Sequence, residues 1–121
     1  QEADYEQLAA FMEEHSAGRA VILGGDTNLH TGTPPAQPEG EGDAVIWDRF
    51  LERVGLTDAC TATDCDDPGR IDKVAFRSGG GVELEALTRT WRNDVFVDAA
   101  GEDLSDHQPL EVRFRWTRQT D

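Results

Sequence analysis

No run of apolar residues in this 121-residue chain approaches the roughly 20 that a helix needs to cross a bilayer. The opening stretch, Gln1 to Glu6, has neither the basic nor the apolar region of a signal peptide. The sequence therefore reads as a soluble chain from which any targeting segment is already gone. Lysine is nearly missing, with Lys73 alone beside ten arginines, and no basic stripe exists. Against 11 positive charges stand 25 Asp and Glu, a net charge of −14 spread along the whole length. Such a surface repels a phosphate backbone at long range, so nucleic-acid binding driven by counterion release is disfavoured. Nuclease chemistry stays open because a metal ion can supply local positive charge. Cysteine is scarce too, with only Cys60 and Cys65. A C-x4-C pair with no further Cys or nearby His is two ligands short of a tetrahedral zinc site. The expected state is a disulfide pinning a loop, which places the chain in a secreted or otherwise extracytoplasmic compartment; two free thiols are the alternative. Repeats and linkers are absent, and the length allows one small domain.

What is present is a globular composition, 37% hydrophobic with twelve glycines besides. Tyr5, Leu8, Ala9 and Met12 fall at i, i+3, i+4 and i+7, which predicts an amphipathic helix with Asp4 as N-cap and a stop near Gly18. Ala20 to Leu23 is a short apolar run typical of a strand buried on both faces, ending at Gly24-Gly25-Asp26. A Pro/Gly-rich loop follows from Thr31 to Gly42. Asp43 begins a second helical pattern with Val45, Ile46, Phe50, Leu51 and Val54 apolar, closing near Gly55. Arg70–Ser78 and Val82–Trp91 are β-rich runs joined by Gly79-Gly80-Gly81, which predicts a hairpin. Leu110, Val112, Phe114 and Trp116 alternate with polar residues, the period of a strand with one face in the core. Helix, strand, helix, strands is an α/β (α+β) arrangement in which helices cover a sheet.

Three polar clusters stand at strand ends, where a rigid element holds side chains in register. They are Gly25-Asp26-Thr27-Asn28, Gly69-Arg70-Ile71-Asp72 and Ser105-Asp106-His107. In an extended geometry Asp26 and Asn28 point the same way, bringing a carboxylate and an amide into one small space. Asp72 falls on the face of its run that carries Val74 and Phe76, and an acid there needs a partner. Two partners fit: an arginine, Arg70 or Arg77, or a histidine that the acid orients for acid–base work. His107 offers that histidine just before the last strand. His15, near a helix end, and His30, in the Pro/Gly loop, are poorer candidates. Asp64, Asp66 and Asp67 lack the glycine and the distal Glu of a calcium loop.

In its order and spacing, GDTN, then GRID, then SDH ahead of a final amphipathic strand resembles the endonuclease/exonuclease/phosphatase superfamily, which includes deoxyribonucleases and sphingomyelinases. The helix ahead of Val21 and the helix ending in Gly-Leu-Thr-Asp-Ala stand where that superfamily has them. The resemblance implies a divalent-metal phosphoesterase using Mg2+, or Mn2+ or Ca2+, and half of a four-layer α/β/β/α sandwich with one mainly antiparallel sheet. His107 would contact the scissile phosphate or act as base toward water, with Asp72 orienting it. Asp26 would align or deprotonate the nucleophile or protonate the leaving group. Asn28 would donate to a phosphoryl oxygen, and Asp106 would help hold the metal.

The superfamily's N-terminal half carries a metal-binding Glu and a second His or Tyr at the phosphate, and neither is here. Residues 1–121 are thus expected to be the C-terminal portion of one domain, completed by an N-terminal fragment or second chain of the same protein. The acidic balance favours a phospholipid or small phosphoester over DNA. The rival readings are a DNA endonuclease and a non-catalytic relative that acts as a binding module.

Overall fold

Strands and helices follow one another as the apolar periods require, and the computed structural model describes residues 1–31 and 38–119. Helix α1 (Glu2–His15) precedes strand β1 (Val21–Asp26), helix α2 (Pro38–Val54), the two-residue β2 (Thr57–Asp58) and the short α3 (Ala59–Ala62). Strands β3 (Asp72–Arg77), β4 (Val82–Trp91) and β5 (Leu110–Arg118) complete the chain. The molecule is a mixed α+β structure with antiparallel sheets and a few helices.

Several boundaries differ from the sequence reading. α1 starts at Glu2 with Gln1 as N-cap, and Asp4 sits in the first turn, where its charge suits the helix dipole without capping. α2 starts at Pro38 rather than Asp43; proline is accepted in a first turn because the N–H it lacks would have no intrahelical partner. Half of the expected Pro/Gly loop, residues 32–37, lies outside the described residues, and residues 38–42 belong to α2.

The strands divide between two sheets where the sequence suggested one. The first has the order β1-β3-β2 and the second is β4-β5. The expected hairpin between the β3 and β4 runs does not form, since β3 pairs with β1 and β2, and β4 pairs with β5. The glycine triplet is instead a crossing point between sheets. A Cβ on Gly79 would lie 2.6 Å from the carbonyl carbon of Arg19, and Gly80 and Gly81 take φ of +57° and +79°. Only glycine meets both demands without strain.

One face of the first sheet carries the core. Val21, Leu23 and Ala75 pack under Ala9 and Met12 of α1 and Trp47, Phe50 and Val54 of α2. Trp47 and Phe50 stack at 5.8 Å, and Tyr5 meets Phe50 edge-on at 5.4 Å. Arg77, at the end of β3, donates to the carbonyls of Ser16, Arg19 and Val54. One guanidinium thereby satisfies acceptors left open at the C-terminal ends of both helices. Asp58 ties α2 to the strand region through Trp47 Nε1, 2.9 Å away, and caps α3.

The other face of the first sheet meets the second sheet through Phe76 and Phe114, whose rings lie edge-on at 5.2 Å. This contact is local. Ile22, directly across from Phe76, is 54% exposed, and Trp116 is 64% exposed. The apolar stripe of β5 is therefore only partly covered among the described residues, as expected of one half of a sandwich. Leu110, Val112 and Phe114 are half-buried, whereas Trp116 has nothing above it among the described residues.

Cys60 and Cys65 form a disulfide. The loop beyond it is held by Asp67, which accepts from Arg89 at 2.7 Å and from Trp91 Nε1 at 2.8 Å. Arg70 lies 3.9 Å above the Trp91 ring. This loop leads straight into Asp72.

Candidate functional site

The register of β1 against β3 places Asp26 directly opposite Asp72. Directly opposed residues of an antiparallel pair share a face, and two like charges there repel. His107 resolves the conflict. Its Nδ1 lies 2.9 Å from Oδ2 and 3.1 Å from Oδ1 of Asp72, and its Nε2 lies 3.6 Å from Asp26 Oδ2. An ionised carboxylate only accepts, so Asp72 fixes the proton on Nδ1 and leaves Nε2 turned toward Asp26. Of the two kinds of partner open to Asp72, the histidine is the one found. Arg77 is committed to carbonyls, and Arg70 donates to Gln108 at 2.9 Å.

Asp26 is aimed by its own loop. Asn28 has a φ of +55°, so the segment is not extended, and the expected same-side placement of the two side chains does not arise that way. Instead the Asn28 N–H donates to Asp26 Oδ1 at 2.9 Å, which turns the other oxygen toward His107. Asparagine tolerates this left-handed conformation better than most residues. The loop itself is riveted by Thr27, whose N–H and hydroxyl both donate to the Ile71 carbonyl, at 2.8 and 2.7 Å. The Tyr5 hydroxyl of α1 donates to the Thr27 carbonyl at 2.7 Å.

His107 is oriented from behind as well, its N–H donating to Ser105 Oγ at 3.1 Å. Asp106 is exposed beside it and stands outside the group formed by Asp26, Asp72 and His107. The His15 ring lies tilted against Phe11, and the His30 N–H donates to Asp43; neither belongs to the cluster. Thr27, Tyr5 and Lys73 are members of the surroundings that sequence reading passed over. Lys73 did carry a signal, as the one lysine of the chain, set in a strand beside the apolar run Val74-Ala75-Phe76.

The hydrogen bond to Asp72, reinforced by the charges of Asp72, Asp26 and Asp106, raises the His107 pKa above the ordinary imidazole value; partial desolvation opposes it. The protonated ring is thus favoured by folding. Its contribution to stability is complete below about pH 6.5 and fades as pH rises through the raised native value. An NMR titration of the His107 ring should give a midpoint above about 6.5 that returns toward that value in Asp72→Asn. A native midpoint at or below it would mean that the pair does not form in solution.

The donor atoms of Asp26, Asp72 and His107 all lie within 4.8 Å of one another, so this group could hold a metal ion. Two carboxylates suit a hard divalent cation such as Mg2+ or Ca2+, and an imidazole widens the choice to Mn2+. The other such group among the described residues, Cys60, Cys65 and Asp67, has both sulfurs in the disulfide. Beside His107 an open cleft runs over Gly24, Gly25, Val74 and Gln108.

The chain is similar to proteins named sphingomyelinase. Those of Mycobacterium bovis and of two Mycobacterium tuberculosis strains are 33% identical to it over 128 aligned positions, which cover 94% of the chain. The chain spans about a quarter of these relatives, 24% of their length. No family model matches it, and no solved structure does.

Proposed function

We propose that the chain is the C-terminal part of a secreted, divalent-metal-dependent phosphodiesterase that hydrolyses a phospholipid headgroup ester. The observation that carries the reading is the imidazole bridging two opposed carboxylates, assembled from three segments far apart in sequence. Similarity to proteins whose name denotes action on sphingomyelin supports the substrate class. The disulfide fits the compartment.

A water lodged between Nε2 and Asp26 Oδ2 would donate one hydrogen to each. His107 takes its proton as the water oxygen bonds to phosphorus, and Asp72 stabilises the resulting imidazolium. The ester P–O bond breaks, and the departing alcohol takes its proton from solvent. Asn28 donates its amide to a phosphoryl oxygen as negative charge grows there. A divalent cation held at Asp26, with Asp106 helping to hold it from outside the cluster through water, would supply charge neutralisation at the phosphate. The metal-binding Glu and the second phosphate-facing group come from an N-terminal segment of the same protein. That segment also covers Ile22 and Trp116, whose exposure on facing sheets is otherwise unexplained.

A lipid substrate also fits the connection between β4 and β5. There Val95, Phe96 and Leu104 are each more than half exposed, on the segment that leads into His107. Apolar side chains in that position suit contact with a bilayer surface. Activity should therefore be compared on sphingomyelin vesicles, a soluble phosphodiester and DNA, with Mg2+ present and removed by chelator. Phe96→Ser should slow vesicle hydrolysis severalfold and leave the soluble substrate unaffected. Preference for DNA, with steep loss of rate as salt rises, would overturn the lipid assignment.

A further inference from the structure

Lys73 is 5% exposed, yet among the described residues no carboxylate pairs with it. Its ammonium donates instead to three neutral acceptors: Thr31 Oγ1 at 2.7 Å, the Pro68 carbonyl at 3.1 Å and the Arg70 carbonyl at 2.6 Å. All three protons are used. The Thr31 hydroxyl donates in turn to the same Pro68 carbonyl, at 2.7 Å. Burying a cation among neutral groups is costly, and an apolar side chain at this strand position would avoid the penalty.

The placement supplies a reason. Thr31 ends the described part of the loop that carries Asp26 and Asn28, whereas Pro68 and Arg70 precede Asp72. Strand pairing holds Asp26 opposite Asp72 only up to the end of β1. Past that point Thr27 makes the first tie between the two loops, and Lys73 makes the second.

We propose that Lys73 is a positioning residue that fixes the Asn28 loop relative to Asp72, so that the carboxylates meet His107 at working distance. The effect on catalysis rests on the phosphodiesterase reading; the effect on the loop does not. Lys73→Met keeps the length of the side chain and removes every donor. In that variant kcat should fall with KM unchanged, toward the loss of about 10²-fold that misplacement by an ångström produces. In the same protein the Thr27 and Asn28 amides should lose about tenfold in hydrogen-exchange protection, whereas those of Ala75 and Phe76 should not.

Unaltered protection at Thr27 and Asn28 would overturn the proposal, as would a kcat that is untouched while protection is lost. If the wild-type protein, with its N-terminal segment present, cleaves no phosphodiester, the functional reading fails and the exchange result still decides the loop. If Lys73→Met does not fold, Thr31→Val, which removes one of the three acceptors, takes its place. It should show a smaller loss at the same two amides, and no loss there would overturn the proposal equally.

Discussion

Replacing His107 with Ala is expected to slow metal-dependent phosphodiester hydrolysis about a thousandfold, the middle of the range over which a positioned acid or base acts. The basis is geometric. His107 Nε2 is the one imidazole nitrogen of the cluster not engaged by Asp72, and it faces Asp26 at 3.6 Å. Asp72→Asn should come close to the same loss. A neutral amide no longer stabilises the imidazolium and can hold the ring in the wrong tautomer. The double variant should be little worse than His107→Ala, because the two side chains act as one unit. Initial rates on a soluble phosphodiester, with folding checked by circular dichroism, decide the matter. A His107→Ala protein that kept more than about a tenth of the rate would exclude the ring from the proton transfer.

Phe50→Ala should cost about 3–5 kcal/mol of folding stability, the range for removing a buried aromatic side chain. Phe50 is 3% exposed, with Tyr5 edge-on to it and Trp47 stacked on it, so the void would open at the centre of the α1–α2 contact. A domain whose total stability is about 5–15 kcal/mol has little margin for such a loss. The site should suffer along with the fold, since Tyr5 also holds the Thr27 carbonyl. Urea titration measures the effect. Phe11→Ala, at a ring 59% exposed, is the control and should change stability by no more than about 0.5 kcal/mol. Equal midpoints for the two variants would show that the helices do not bury their apolar faces as described.

Much of this arrangement was legible in the sequence because it is periodic. The apolar run ending at Asp26 and the alternation from Leu110 onward each announced a strand, and the spacing around Tyr5 announced a helix. The acids and the histidine at strand ends were visible as a chemistry-bearing set, and the structure brings Asp26, Asp72 and His107 together. What stayed hidden depends on partners remote in the chain. Nothing in Gly79-Gly80-Gly81 distinguishes a tight turn from a crossing between sheets, because the deciding contact is with the Arg19 backbone. Asn28 was read as extended because two-residue periodicity carries no information about a residue that turns left-handed at a strand end. Lys73 stands out in the sequence only as the one lysine of the chain, and its three acceptors come from two loops that no local pattern relates.

Asp72 and His107 are 35 positions apart, and Thr27 reaches 44 positions to the Ile71 carbonyl. Contacts of such long sequence separation demand loop closures that are entropically expensive and are rewarded only when the closing segments dock. Helices α1 and α2, by contrast, draw their backbone bonds from neighbours and can form early in folding. The imidazole–carboxylate pair therefore costs more loop-closure entropy than either helix, and the site depends on the docked sheets rather than on helix content.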